Sequence, residues 1–187
     1  MQPQTDTHKT PQALRVESPA FGANGSIPLQ YTADGENTAP ELTWGSVPEG
    51  TKSIAIIVED PDVPDPNHPI STFAHLIVTG LPPETRRLDA SEELPAGAAF
   101  GSNDRGERGW FGPKPPIGRH RYFFKVFALD THLAAPGIRR LDFIGAIKGH
   151  VIAQGEIVGT YESPPDRRSA EHGGERRPRS HGRDTNW

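Results

Sequence analysis

Apolar residues in this chain fall into short runs, each closed off by Pro, Gly, Asn or Asp. Ile54-Ala-Ile-Ile-Val-Glu-Asp60 is an almost unbroken apolar run and reads as a buried strand. Phe73-Ala-His-Leu-Ile-Val78 reads as a second strand, and Tyr122-Phe-Phe-Lys-Val-Phe-Ala-Leu129 as a third. Their lengths and their β-branched and aromatic content suit strands better than helices. Gln154-Gly-Glu-Ile-Val-Gly-Thr-Tyr161 reads as a closing strand. One stretch has helical spacing, Leu141 to Ala153, through Leu141, Ile144, Ile147 and Val151. Gly145 and Gly149 weaken it locally.

Length and composition sharpen this pattern. The 187 residues suit one domain with tails. Gly and Pro number 20 each, which favours turns between short strands over long helices. Residues 1–13 are polar and expected to be mobile, 14–163 form the β domain, and 164–187 read as a disordered tail. That tail carries six Arg, four acidic residues and almost nothing apolar, too little to offset the entropy of ordering. The start has neither the basic residues nor the apolar run of a signal peptide, and no apolar run could span a bilayer. A cytoplasmic protein is expected. The absence of cysteine excludes disulfides, thiolate chemistry and Cys-ligated zinc. A net charge of −4 gives the folded domain no drive toward nucleic acid. No amphipathic helix with a basic face is present, so stable membrane binding is not expected.

Three segments could carry chemistry. In Glu59-Asp-Pro-Asp-Val-Pro-Asp-Pro-Asn-His68, prolines follow a buried strand, so the chain is expected to leave the sheet there. By alternation Asp60 shares a face with Ile54, Ile56 and Val58 and points inward, where a carboxylate needs partners. It reads equally well as an Asx-turn capping the strand exit. His75 lies inside an apolar strand, on a face with Phe73 and Ile77. A lone His there is more often a hydrogen-bonded core residue than a ligand. The third segment, Gly101 to Tyr122, holds five Gly and three Pro and forms a shaped loop. Its amides can approach a ligand closely. His120 and Tyr122 share one face of the strand that follows and can donate to a phosphate-like oxygen. Arg119 and Arg121 point the other way, as surface or structural groups.

These segments resemble the phosphatidylethanolamine-binding protein family, in its bacterial Raf kinase inhibitor-like branch. Asp60-Pro-Asp-Val-Pro64 resembles the first family signature, and Phe73-Ala-His75 the strand that supplies a pocket histidine. Gly109-Trp-Phe-Gly-Pro-Lys-Pro-Pro116 with His120-Arg-Tyr122 resembles the second. The resemblance runs from about residue 15 to residue 162. It implies a mainly β fold: two stacked sheets with Greek-key topology and a few flanking helices. It also implies a small cavity lined by Asp60, His75, Pro116, His120 and Tyr122. Asp62, Trp110, Gly112 and Pro115 would support it. Trp110 stands where bacterial relatives usually have Tyr, and Lys114 where many have Cys. A cation at Lys114 would strengthen attraction for an anion near the mouth.

The function expected from this reading is non-catalytic binding of a small anion such as phosphate, acetate or a phosphoethanolamine-like group. The resemblance extends this to regulation of a kinase or other protein partner, and to a homodimer. No cofactor or metal is implied. With His75 and His120 partly protonated, affinity should fall as pH rises above about 6.5. A metal-assisted hydrolase is the alternative, because Asp60, Asp62, Asp65, His68, His75 and His120 offer enough ligands. However, neither a His-Glu-x-x-His nor a Gly-x-Ser-x-Gly segment occurs. Serine protease inhibition is a third class, for which no reactive loop is marked.

Overall fold

The computed structural model describes residues 10–165. Nearly all of the C-terminal tail and the first nine residues, on which mobile ends are expected, lie outside that range. Nine strands occur among the described residues: β1 Gln12–Ala13, β2 Val16–Glu17, β3 Leu42–Trp44, β4 Ser53–Val63, β5 Ser71–Leu81, β6 Arg87–Leu88, β7 Ala99–Phe100, β8 Arg119–Leu129 and β9 Val151–Glu162. A six-stranded sheet has the order β1-β9-β8-β4-β5-β7, and a three-stranded sheet the order β2-β3-β6. The fold is thus mainly β with two sheets. Its helical content among the described residues is smaller than expected: one α-helix, α1 Arg140–Ile147, and a short 3-10 turn at Leu29–Tyr31.

The four long strands are those expected from the apolar runs, each extended at one end or both. β4 lies between β5 and β8 and is covered on both faces. Ile54, Ile56 and Val58 pack in one cluster with Leu42 and Trp44 of the small sheet. Ala55 and Ile57 pack in another with Phe143 and Ile147 of α1. Double coverage explains why the run does not alternate. Each such aliphatic contributes about 1.5–3 kcal/mol relative to exposure.

Three expectations change. The N-terminal segment is not wholly outside the fold, because Gln12 and Ala13 pair in parallel with Ala153 and Gln154. The helix is shorter than expected and buries a different stripe. It ends at Ile147, Gly149 takes a left-handed φ of 81°, and Val151 already belongs to β9. A glycine in that conformation just past the last turn is a common helix stop. Phe143 and Ile147, four residues apart, face the sheet, while Leu141 and Ile144 are exposed. Finally, β4 does not leave the sheet at Asp60. Its last pairing with β8 is Glu59 with Phe123, but pairing with β5 continues to Val63. Pro61 is tolerated because the strand has become an edge there and donates no ladder bond on the open side.

Candidate functional site

The separation of β4 from β8 beyond Glu59 opens a gap at the strand ends, and the three predicted segments meet around it. A cavity of about 190 Å³ is walled by Asp60 and Val63 from β4, Phe73 and His75 from β5, and Tyr122 from β8. Phe111, Lys114, Pro115 and Pro116 of the glycine-rich loop close it. A larger cleft of about 370 Å³ lies along β8 and β9 over Lys125, Phe127 and Gln154. The smaller cavity is the stronger candidate because the buried polar residues of the three segments converge on it.

Both readings of Asp60 hold together. Oδ1 accepts the Asp62 N–H at 2.8 Å, which is the Asx-type turn. Oδ2 lies 2.7 Å from His120 Nδ1. Burial pushes the Asp60 carboxyl above its usual range, and the His120 bond opposes that push. His120 is fully buried, and its Nε2 donates to the Ile117 carbonyl at 3.0 Å. Both ring nitrogens are thus committed within the protein. His120 stands behind Asp60 and not on the cavity surface, a correction to its expected place as a donor at the wall.

Tyr122 is fully buried, and its hydroxyl has no hydrogen-bond partner among the described residues. His75 is buried, with Nδ1 2.5 Å from the Phe111 carbonyl, while Phe111 N–H donates back to the His75 carbonyl at 3.0 Å. The rings of Phe73, Phe111 and Tyr122 surround its imidazole at centroid distances of 4.8, 6.1 and 5.2 Å. Burial lowers its pKa to about 4. The expected affinity change near neutral pH therefore does not come from His75.

The face assigned to His75 also changes. The β4–β5 register shifts between Val58–Leu76 and Glu59–Ala74, leaving His75 unopposed. On either side of this bulge Ala74 and Ile77 pack in the cluster on the α1 side, while His75 meets Tyr122 on the other. A bulge re-aims side chains in this way. It is held by Asp104, whose Oδ2 accepts the Ala74 N–H at 2.7 Å and whose own N–H donates to the Ala74 carbonyl at 3.0 Å.

The expected supporting residues take distinct places. Asp62 is buried and binds Arg121, which holds its carboxyl below the usual range. Trp110 packs between His75 and Phe124, away from the cavity surface. Pro115 and Pro116 form wall. Gly112 donates its N–H to Asn37 Oδ1 at 2.7 Å, tying the loop to residues 28–38. A Cβ there would lie 2.6 Å from the Tyr31 carbonyl oxygen and 2.9 Å from Ala33 N. Gly112→Ala should cost about 1–3 kcal/mol, seen as a lower urea midpoint with unchanged slope.

Sequence reasoning did not select Phe111, Asn37, Asn103 or Asp104. Asn103 is buried, bonds the Gly109 carbonyl and accepts the Arg105 and Glu107 amides. An Asn-Asp pair inside a glycine-rich loop was the available signal for such turn-building. Lys114 pairs with Asp34 at 3.5 Å, so its charge is shared at the rim. Among the described residues, no three His, Cys, Asp or Glu form a group that could hold a metal ion. His68 sits on an exposed turn beside Asp65. No described helix is long and apolar enough to cross a membrane.

Residues 17–162 match the phosphatidylethanolamine-binding protein family. The chain belongs to that family. It is 39% identical over 153 residues to a UPF0098 protein of Methanothermobacter thermautotrophicus, covering 79% of this chain and 98% of that protein. The phosphatidylethanolamine-binding protein homologue CT736 of Chlamydia trachomatis is 36% identical, with a TM-score of 0.74 over 82% of this chain and 99% of that one. YbcL of Escherichia coli, described as a member of the mammalian PEBP family, is 34% identical, with a TM-score of 0.72 over 81% of this chain and 99% of YbcL. The two-sheet architecture is thus that of the PEBP family, and the pocket lies within the matched residues.

Proposed function

We propose that this PEBP-family chain is a non-catalytic binding protein whose strand-end cavity takes a small phosphate-like anion or a phosphorylated head group. The observation that carries this is the Tyr122 hydroxyl, fully buried in the cavity wall without a partner among the described residues. An orphaned buried hydroxyl is costly, so a ligand oxygen is its natural complement. Lys114 at the rim favours an anion. The aromatic and proline walls shield the contact from water, which strengthens it. Occupancy of the cavity would then be the signal read by a protein partner such as a kinase.

Calorimetric titration with inorganic phosphate tests the reading. A hydrogen bond to a charged group contributes about 1.5–3 kcal/mol, so Tyr122→Phe should weaken phosphate binding about tenfold or more. The same change removes an unpartnered group and should leave thermal stability intact or raised. Undiminished phosphate affinity in Tyr122→Phe would sink the proposal.

A further inference from the structure

Resting on that reading, we propose that the pocket accepts its anion in a hydrogen-bearing form, with a ligand O–H donating to His75 Nε2. The Phe111 carbonyl can only accept, so the 2.5 Å contact fixes the proton of His75 on Nδ1. In the neutral ring Nε2 then carries a lone pair. No described residue donates to it, and His75 lines the cavity.

The groups packed around this imidazole give no route to a second proton. Phe73 and Phe111 offer only ring faces and edges, and the buried Trp110 indole N–H makes no hydrogen bond among the described residues. Asp60, the carboxylate of the wall, is already bonded to His120 Nδ1 and the Asp62 amide. Lys114 is drawn to Asp34. Tyr122 contributes a hydroxyl that burial keeps protonated. Burial also lowers His75 to about 4, so the ring is neutral through the ordinary pH range.

The inner wall therefore presents two acceptors, His75 Nε2 and Asp60, and one hydroxyl that can serve either way. An oxyanion without a hydrogen would set its lone pairs against both acceptors. A singly protonated phosphate monoester relieves the conflict at His75, while the Asp60 oxygens keep their His120 and Asp62 partners. Its P–OH donates to Nε2, and an ionised oxygen accepts from Tyr122. Lys114 at the rim disfavours the other donor class, a free cation.

Methyl phosphate and methyl sulfate separate the possibilities, because at about pH 5.5 both are monoanions of nearly the same shape and only the phosphate carries a proton. Calorimetry should show methyl phosphate binding about tenfold tighter or more, since a site built for a hydrogen bond rejects the analogue that lacks it. Its affinity should fall as pH rises past the ester's second ionisation near ~6. Nitrogen-15 NMR of the free protein should show a bare His75 Nε2. Equal or tighter methyl sulfate binding, a flat pH profile, or a doubly protonated His75 at about pH 6 overturns the donor requirement while the anion pocket stands. Binding of neither ester overturns the pocket reading and this inference with it.

Discussion

His120→Ala should destabilise the fold by about 3–5 kcal/mol, the range seen when one partner of a buried pair is removed. His120 is fully buried and Asp60 nearly so. Both ring nitrogens face oxygens, Asp60 Oδ2 at 2.7 Å and the Ile117 carbonyl at 3.0 Å. The carbonyl fixes a proton on Nε2, and a second proton is shared between Nδ1 and the carboxylate. Removing the ring leaves the Ile117 carbonyl and Asp60 without these donors. The double change Asp60→Asn, His120→Gln provides the control, because two amides can bond each other without a buried charge. Urea unfolding at about pH 7 should return more than half of the loss in the double variant. Equal losses in the single and double variants would assign the cost to the vacated volume instead. The deficit of His120→Ala should also shrink in acid. A carboxyl raised in the folded state contributes stability that is full below its ordinary range and is lost as pH rises through the raised value. Removing the His120 bond, which opposes that rise, moves Asp60 further the same way.

Much of this arrangement was legible in the chain. Long-range β pairing left its mark most clearly at β4, because a strand covered on both faces must be apolar throughout, while β8 alternates buried and less buried positions. The inward direction of Asp60 followed from alternation with Ile54, Ile56 and Val58, and no register shift interrupts β4 against β8 from Ser53 to Glu59. His120 and Tyr122 share their face for the same reason. Alternation failed at His75, where the bulge reverses the face between Ala74 and Leu76. That bulge depends on Asp104, 30 residues away, and a period-two reading carries no information about such a contact. The helix failed for a related reason. Leu141, Ile144, Ile147 and Val151 fit a helical stripe, but β9 takes Val151 into the ladder opposite Leu129. Tertiary pairing outweighed a weak local preference already interrupted by glycine. The burial of His120 behind Asp60 was hidden too, because a shared face does not fix depth. Ile117, whose carbonyl takes the second nitrogen, lies in a loop whose path no periodicity describes.

Asp62→Ala should cost about 3 kcal/mol, roughly three hydrogen bonds of ordinary net strength, and should loosen the pocket as well. The reason lies in how the gap is held open. Beyond Glu59, β4 has no further ladder pairing with β8. Asp62 substitutes for it: Oδ2 accepts the Arg121 backbone N–H at 2.9 Å and Nε at 3.0 Å, and Oδ1 accepts Nη2 at 2.8 Å. One buried carboxylate thus bonds both the backbone and the guanidinium of a residue flanked by His120 and Tyr122. It sets the spacing of the strands that carry Asp60 on one side and Tyr122 on the other. Asp62→Asn keeps an acceptor and should lose less, but its pH dependence is the sharper test. The Arg121 bonds lower the Asp62 carboxyl, so its contribution is full above about pH 4 and is lost as pH falls through the depressed folded value. The stability difference between wild type and Asp62→Asn should therefore narrow on acidification from about pH 5 to about pH 2 in urea unfolding. Asp60, two residues away, is shifted in the opposite direction, so wild type should gain on Asp60→Asn over the same descent. Parallel behaviour of the two variants would show that the neighbouring carboxylates are not divided into an anchor and a pocket wall.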